Sequence, residues 1–179
     1  VAAGHERLSA VRQRVLDTDY LTLLTVLDLP IGVALAMEGR FGEALGWLRT
    51  TIDRFSQWGD LSSESQGHFV VGEFYLQMIL GDEPTPLGTI LRNLPFLIVH
   101  RPGAARRAAR HYRRARQLAE EGGAPGTVAQ ALLGLGRLAA AKGDRQTARD
   151  HLEEAQAVAA GLDWPWLGGR IDEVMKELE

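Results

Sequence analysis

Residues 128–160 read as two amphipathic helices joined by the turn Lys142-Gly143-Asp144. Small residues, Gly136 on the first and Ala148 and Ala155 on the second, sit where two helices would touch, and Leu132, Leu135, Leu152 and Val158 supply the apolar faces. A helical hairpin of this kind cannot bury its apolar side alone and needs neighbours of its own kind. The chain supplies them. Gly32 is followed by Gly39 seven residues on and by Ala44 twelve on, and Gly136 is followed by Gly143 and Ala148 at the same offsets. A third copy has Val71-Gly72-Glu73-Phe74-Tyr75 in its first helix and Ala108, Tyr112 and Ala115 in its second. Gly32 to Gly72 and Ala108 to Ala148 both span 40 residues, while Gly72 and Ala108 are 36 apart instead of 12. An insertion of 24 residues therefore lies inside the middle copy.

This arithmetic predicts an all-α chain in a single domain, 1–179. Its parts are a leading half-repeat (1–17), helix pairs at 19–58, 61–122 and 125–161, an insertion at about 82–103 within the second pair, and a capping helix at 164–179. Forty residues before Ala44 and Leu48 lie Gly4 and Leu8, and Leu8, Val11 and Val15 give residues 2–16 a helical apolar stripe. Val1 stands where a start Met would, so the chain is expected to be a piece of something longer, or a processed or tagged chain, and the half-repeat without its first helix points to truncation of a solenoid that continues upstream. Pro30 should bend or break the first helix; the alternative is that Asp28 caps a new helix with Pro30 in its first turn. Ser62 and Ser63 offer caps for the next helix. The insertion carries Leu87, Ile90, Leu91, Leu94, Phe96, Leu97, Ile98 and Val99, too apolar a run for a solvated loop. One or two short helices interrupted at Pro95 are expected there, folded back on the solenoid or, alternatively, contacting another chain. In the last helix Met175 and Lys176 replace the Leu-Gly of the repeat, as suits a cap with one wet face.

There is no cysteine, hence no disulfide or thiolate site, which fits a cytoplasmic location. No phosphate-binding GxxxxGK[ST] loop occurs, and Gly134-Leu135-Gly136 lies inside a predicted helix with no strand before it. His5, His68, His100, His111 and His151 show no metal-ligand spacing on one helix face, with His68 at a repeat core position. Ser62, Ser63 and Ser65 lack a Gly-x-Ser-x-Gly setting. No catalytic residue, cofactor or metal is expected. The stretch 21–37 is short for a span and contains Asp28 and Pro30, and a net charge of −3 gives no global field toward nucleic acid or acidic lipid, so no membrane is expected as a partner.

The repeat resembles the tetratricopeptide unit, whose pattern falls on Leu132, Leu135-Gly136, Ala139, Ala148 and Leu152. In the middle copy it falls on His68, Val71-Gly72, Tyr75, Ala108 and Tyr112, and in the first on Asp28, Ile31-Gly32, Leu35, Ala44 and Leu48. The usual Trp and terminal Pro are missing and the period exceeds the common 34; HEAT and armadillo units have comparable periods, but the Gly and Ala spacing favours the tetratricopeptide. Residues 60–160, insertion included, are similar to the C-terminal tetratricopeptide region of large bacterial multidomain proteins that carry class III adenylate/guanylate cyclase domains and an AAA-type ATPase ahead of the repeats. The resemblance implies a right-handed α-α superhelix acting as a non-catalytic protein-interaction or regulatory scaffold. Cyclase or ATPase activity would belong to the parent. The alternative is an effector-sensing domain for a small molecule in the same kind of parent.

By the same resemblance, the first helix of each pair lines the ligand groove. That places Gln66, Phe69, Glu73 and Gln77 there in the second pair and Gln130, Leu133 and Arg137 in the third, with Val26, Leu29, Val33 and Met37 in the first. The Lys and Asn carboxylate-clamp pattern is absent. Arg106, Arg107, Arg110, Arg113 and Arg114 form a candidate basic patch, read mainly as a solvated helix face; without aromatic or amide base-reading residues, nucleic acid is not expected. The expected partner is a protein or domains of the parent chain, with self-association through residues 87–99 as a further option.

Overall fold

The computed structural model describes residues 4–17, 23–81, 86–162 and 164–179. Among these there are α-helices and no strand: α1 (Gly4–Leu16), α2 (Leu24–Met37), α3 (Phe41–Trp58), α4 (Leu61–Leu80), α5 (Leu87–Arg92), α6 (Leu94–His100), α7 (Ala104–Glu121), α8 (Pro125–Ala141), α9 (Arg145–Ala159) and α10 (Pro165–Glu177). A 3-10 turn, Arg101–Gly103, joins α6 to α7. The start expected for the first pair, near Asp19, lies outside the described residues.

The three predicted pairs are α2 on α3, α4 on α7 and α8 on α9. They join in chain order through α3 on α4 and α7 on α8, with α1 against α2 and α10 against α9. First helices also touch one another: α2 meets α4, α4 meets α8, and α8 meets α10.

Each second helix buries one stripe. In α3 that stripe is Ala44, Leu45, Leu48, Thr51, Ile52 and Phe55, at the three-and-four spacing of an amphipathic helix. In α7, Ala108, Tyr112, Ala115 and Ala119 face inward. The repeat glycines explain how closely the partners approach. A Cβ on Gly32 would lie 2.4 Å from Leu48, one on Gly72 2.6 Å from Tyr112, and one on Gly136 2.8 Å from Leu152. These are register-equivalent contacts, each seating a large second-helix side chain against first-helix backbone. Gly39 (φ +71°) and Gly143 (φ +77°) make the equivalent turns between helices, in the left-handed region that favours glycine.

Several local expectations change. Pro30 lies inside α2 without ending it, and Asp28 is a buried residue in mid-helix, not a cap. The cap of α4 is Asp60, whose carboxylate accepts the Ser63 N–H at 3.0 Å, in place of Ser62 or Ser63. The insertion is two helices broken at Asn93; Pro95 falls in the first turn of α6, where its missing N–H costs nothing. Val11 is exposed although Val15 is buried, because among the described residues α2 is the principal neighbour of α1 and covers one side only.

The insertion does fold back. Asn93 Nδ2 donates to the Gly39 carbonyl at 2.7 Å, and Arg92 donates to the Glu38 and Gly39 carbonyls at 3.0 and 3.1 Å. Phe96 packs against Phe41 and Phe74 with ring centroids 6.2 and 6.1 Å away. Among the described residues no helix is long and apolar enough to cross a membrane.

Candidate functional site

The groove residues of the second and third pairs come together along the contact of α4 with α8. Glu73 and Arg137 occupy equivalent repeat positions on the two helices and form an ion pair at 3.0 Å. Thr127 donates its hydroxyl to the Gln66 side-chain oxygen at 3.0 Å. Behind them Tyr112 of α7 donates its hydroxyl to Glu73 at 2.6 Å. Its ring is held between two helix backbones: a Cβ on Gly72 would lie 2.6 Å from it, and one on Gly134 2.4 Å. Burial, with the adjacent Glu73 carboxylate, pushes the Tyr112 phenol well above its ordinary range, so it acts as a donor at every physiological pH.

Gln77 is exposed and Gln130 half-buried, while Phe69 packs on Tyr112 with centroids 6.2 Å apart. Leu133 is buried within the core of the third pair, so it supports the row and does not line it. Leu29, too, is core, but Val26, Val33 and Met37 are exposed on α2. The row is therefore aliphatic on α2 and carries amides and charges on α4 and α8.

The basic patch divides. Arg107 donates to the His100 carbonyl at 2.8 Å and lies over the Tyr75 ring, and Arg114 reaches Glu64 at 3.4 Å. Arg106, Arg110 and Arg113 are exposed and make no ion pair with the described residues.

Two polar sites were missed by reasoning along single helices. One surrounds Asp28, fully buried in α2 and held by Arg12 of α1 at 2.6 Å and by Arg54 of α3. Trp47 donates its indole N–H to the Asp28 carbonyl at 2.8 Å, and Arg12 lies over the Trp47 ring at 5.2 Å. Arg12, Arg54 and Trp47 border a cleft of about 490 Å³ between α1, α2 and α3, also lined by His5, Ser9, Arg40, Glu43 and Thr50. At its rim His5 bonds Glu38 at 2.7 Å, and that bond holds the Glu38 carboxyl below the usual range.

The other site joins α4 to α7. His68 and His111 share a hydrogen bond between their Nδ1 atoms at 2.9 Å. One imidazole must donate and the other accept, so the bond requires at least one neutral ring. Burial pushes both below the ordinary histidine range, His111 to about 4. His100 stacks over Phe96 with centroids 4.2 Å apart and over Tyr75 at 6.2 Å. No group of three or more His, Cys, Asp or Glu that could hold a metal ion occurs among the described residues.

No family model, curated protein or solved structure matches the chain.

Proposed function

We propose that the chain is a tetratricopeptide-like right-handed α-α solenoid that acts as a non-catalytic protein-interaction or regulatory module of a larger bacterial signalling protein of cyclase/ATPase type. The observation that carries this reading is the register-matched row of first helices, in which Glu73 pairs with Arg137 and aliphatic Val26, Val33 and Met37 are left exposed. Such a row suits a partner segment with an apolar end over α2 and a polar end over α4 and α8. The test is calorimetric titration of the chain with the catalytic domains of its parent. Binding at micromolar or better affinity that Val33→Glu abolishes supports the module. Affinity untouched by that change, or no heat with any domain, removes it.

A second reading has its own observation, the cleft beside Asp28. Two guanidiniums, Arg12 and Arg54, share one buried carboxylate there and line the cleft beside the Trp47 ring, with Arg40 paired to Glu43 at its edge. That suits a small anionic effector. Trp47 fluorescence during titration with small carboxylates and phosphates reports on it, and a response absent throughout would retire it.

A further inference from the structure

We propose that the α5–α6 arm and the start of α7 form a docking surface for an anionic lipid bilayer, on which the chain lies without crossing it. Residues 86–119 contain eight arginines and no aspartate or glutamate, in a chain of net charge −3. Fastening the arm uses its inward polar and aromatic groups: Arg92 and Asn93 bond the carbonyls of the α2–α3 turn, and Phe96 fills the space beside Phe41 and Phe74. What remains outward is aliphatic. Leu87, Leu91, Ile98 and Val99 are each between 61 and 70% exposed. An aliphatic patch this dense marks a surface that meets something other than water.

Exposed arginines follow the aliphatic residues in the chain. Arg101 follows α6 directly, and Arg106, Arg110 and Arg113 lie on α7; all four are exposed and unpaired with the described residues. Three carboxylates on the elements beneath the arm are already engaged: Glu38 by His5 and Arg40, Glu43 by Arg40, and Glu73 by Arg137.

Other occupants fit one half of the surface only. A symmetric contact between two copies would bury the aliphatic side chains but bring two sets of exposed arginines into one interface. A nucleic acid would satisfy the guanidiniums and leave the aliphatic side chains unmatched. It would also find no reader on the arm, since Asn93 is buried against the Gly39 carbonyl and Phe96 is packed inward. An acidic bilayer satisfies both halves, with aliphatic side chains in the acyl boundary and guanidiniums among the phosphates. The net charge of −3 supplies no global field toward acidic lipid, so the attraction rests on this local cluster of arginines, and surface docking needs no spanning segment.

Flotation of the full chain with vesicles tests this. Phosphatidylcholine vesicles should leave it unbound, and vesicles in which about a third of the lipid is phosphatidylglycerol should carry it, less so as salt rises. Arg106→Gln and Arg110→Gln should each weaken partitioning about fivefold. Leu91→Ser with Ile98→Ser should weaken it tenfold or more, on the order expected for lost aliphatic insertion. Those aliphatic positions are exposed, so the melting temperature should hold. Failure to float with anionic vesicles at low salt overturns the proposal. So does flotation that the Leu91→Ser, Ile98→Ser variant retains, or a dimer that this variant dissolves while no vesicle is bound.

Discussion

The first and third helix pairs share a backbone plan and differ in what fills it. In both, a glycine of the first helix receives a leucine of the second, Leu48 on Gly32 and Leu152 on Gly136. Four residues before each glycine the contents diverge. The first pair buries Asp28 and brings Arg12 and Arg54 to hold it; the third buries Leu132 in an aliphatic core. The second pair places His68 at the same position and answers it with His111. Close approach at the glycine defines the pair, and the neighbouring site accepts a carboxylate, an imidazole or an alkyl group provided its partners change with it.

The comparison can be broken most directly at Asp28. Asp28→Ala strands two guanidiniums in a half-buried setting and should cost about 3–5 kcal/mol in denaturant unfolding. A cost under about 1 kcal/mol would mean that the ion cluster is dispensable. Leu132→Ala, at the equivalent position, removes a buried side chain without stranding any charge and should cost about 2–5 kcal/mol.

The second pair sharpens the comparison through pH. Around His68 and His111, Glu64 and Asp53 favour protonation while Arg114, Arg49 and Arg110 oppose it, and burial outweighs them all. The unfolded chain binds protons near pH 6.5 that folded His111 refuses until about 4. Stability from the pair is therefore complete above pH 6.5, falls as pH drops toward 4, and is flat below, a loss on the order of 3 kcal/mol. His111→Leu should flatten most of this slope in melts across that range; a residual slope of the same sign is expected from His100 and His151, which burial also lowers. An unchanged slope would show that the pair does not titrate as described. The smallest effect is on the outer face: Arg113→Ala should change stability by less than about 0.5 kcal/mol, and a larger loss would place that arginine in an unseen contact.

The helix pairs were legible because glycine and alanine at fixed offsets report close backbone approach directly, and α4, α7 and the α8–α9 turn fall where those offsets put them. The interior chemistry was not. Arg12, Asp28 and Arg54 lie on three helices, and His68 and His111 are 43 positions apart, so no spacing along one face brings them together. Asn93, not Pro95, divides the insertion because its side chain is needed by the Gly39 carbonyl, a demand set by a turn far away in sequence. Leu133 was read as groove lining because position alone does not tell how deeply α8 is enclosed.

Tyr112 carries a consequence for the order of the array. Its ring requires Gly134 on the following helix, and the positions equivalent to Gly134 are Val70, in the cluster that holds Leu48, and Val174, in the cluster that holds Leu152. Bulk on one side of each junction is matched by slimness on the other. Shuffling the pairs would drive a tyrosine into a valine at one seam and leave a leucine facing a hollow at another, so these modules have a fixed succession and cannot be dealt like interchangeable cards.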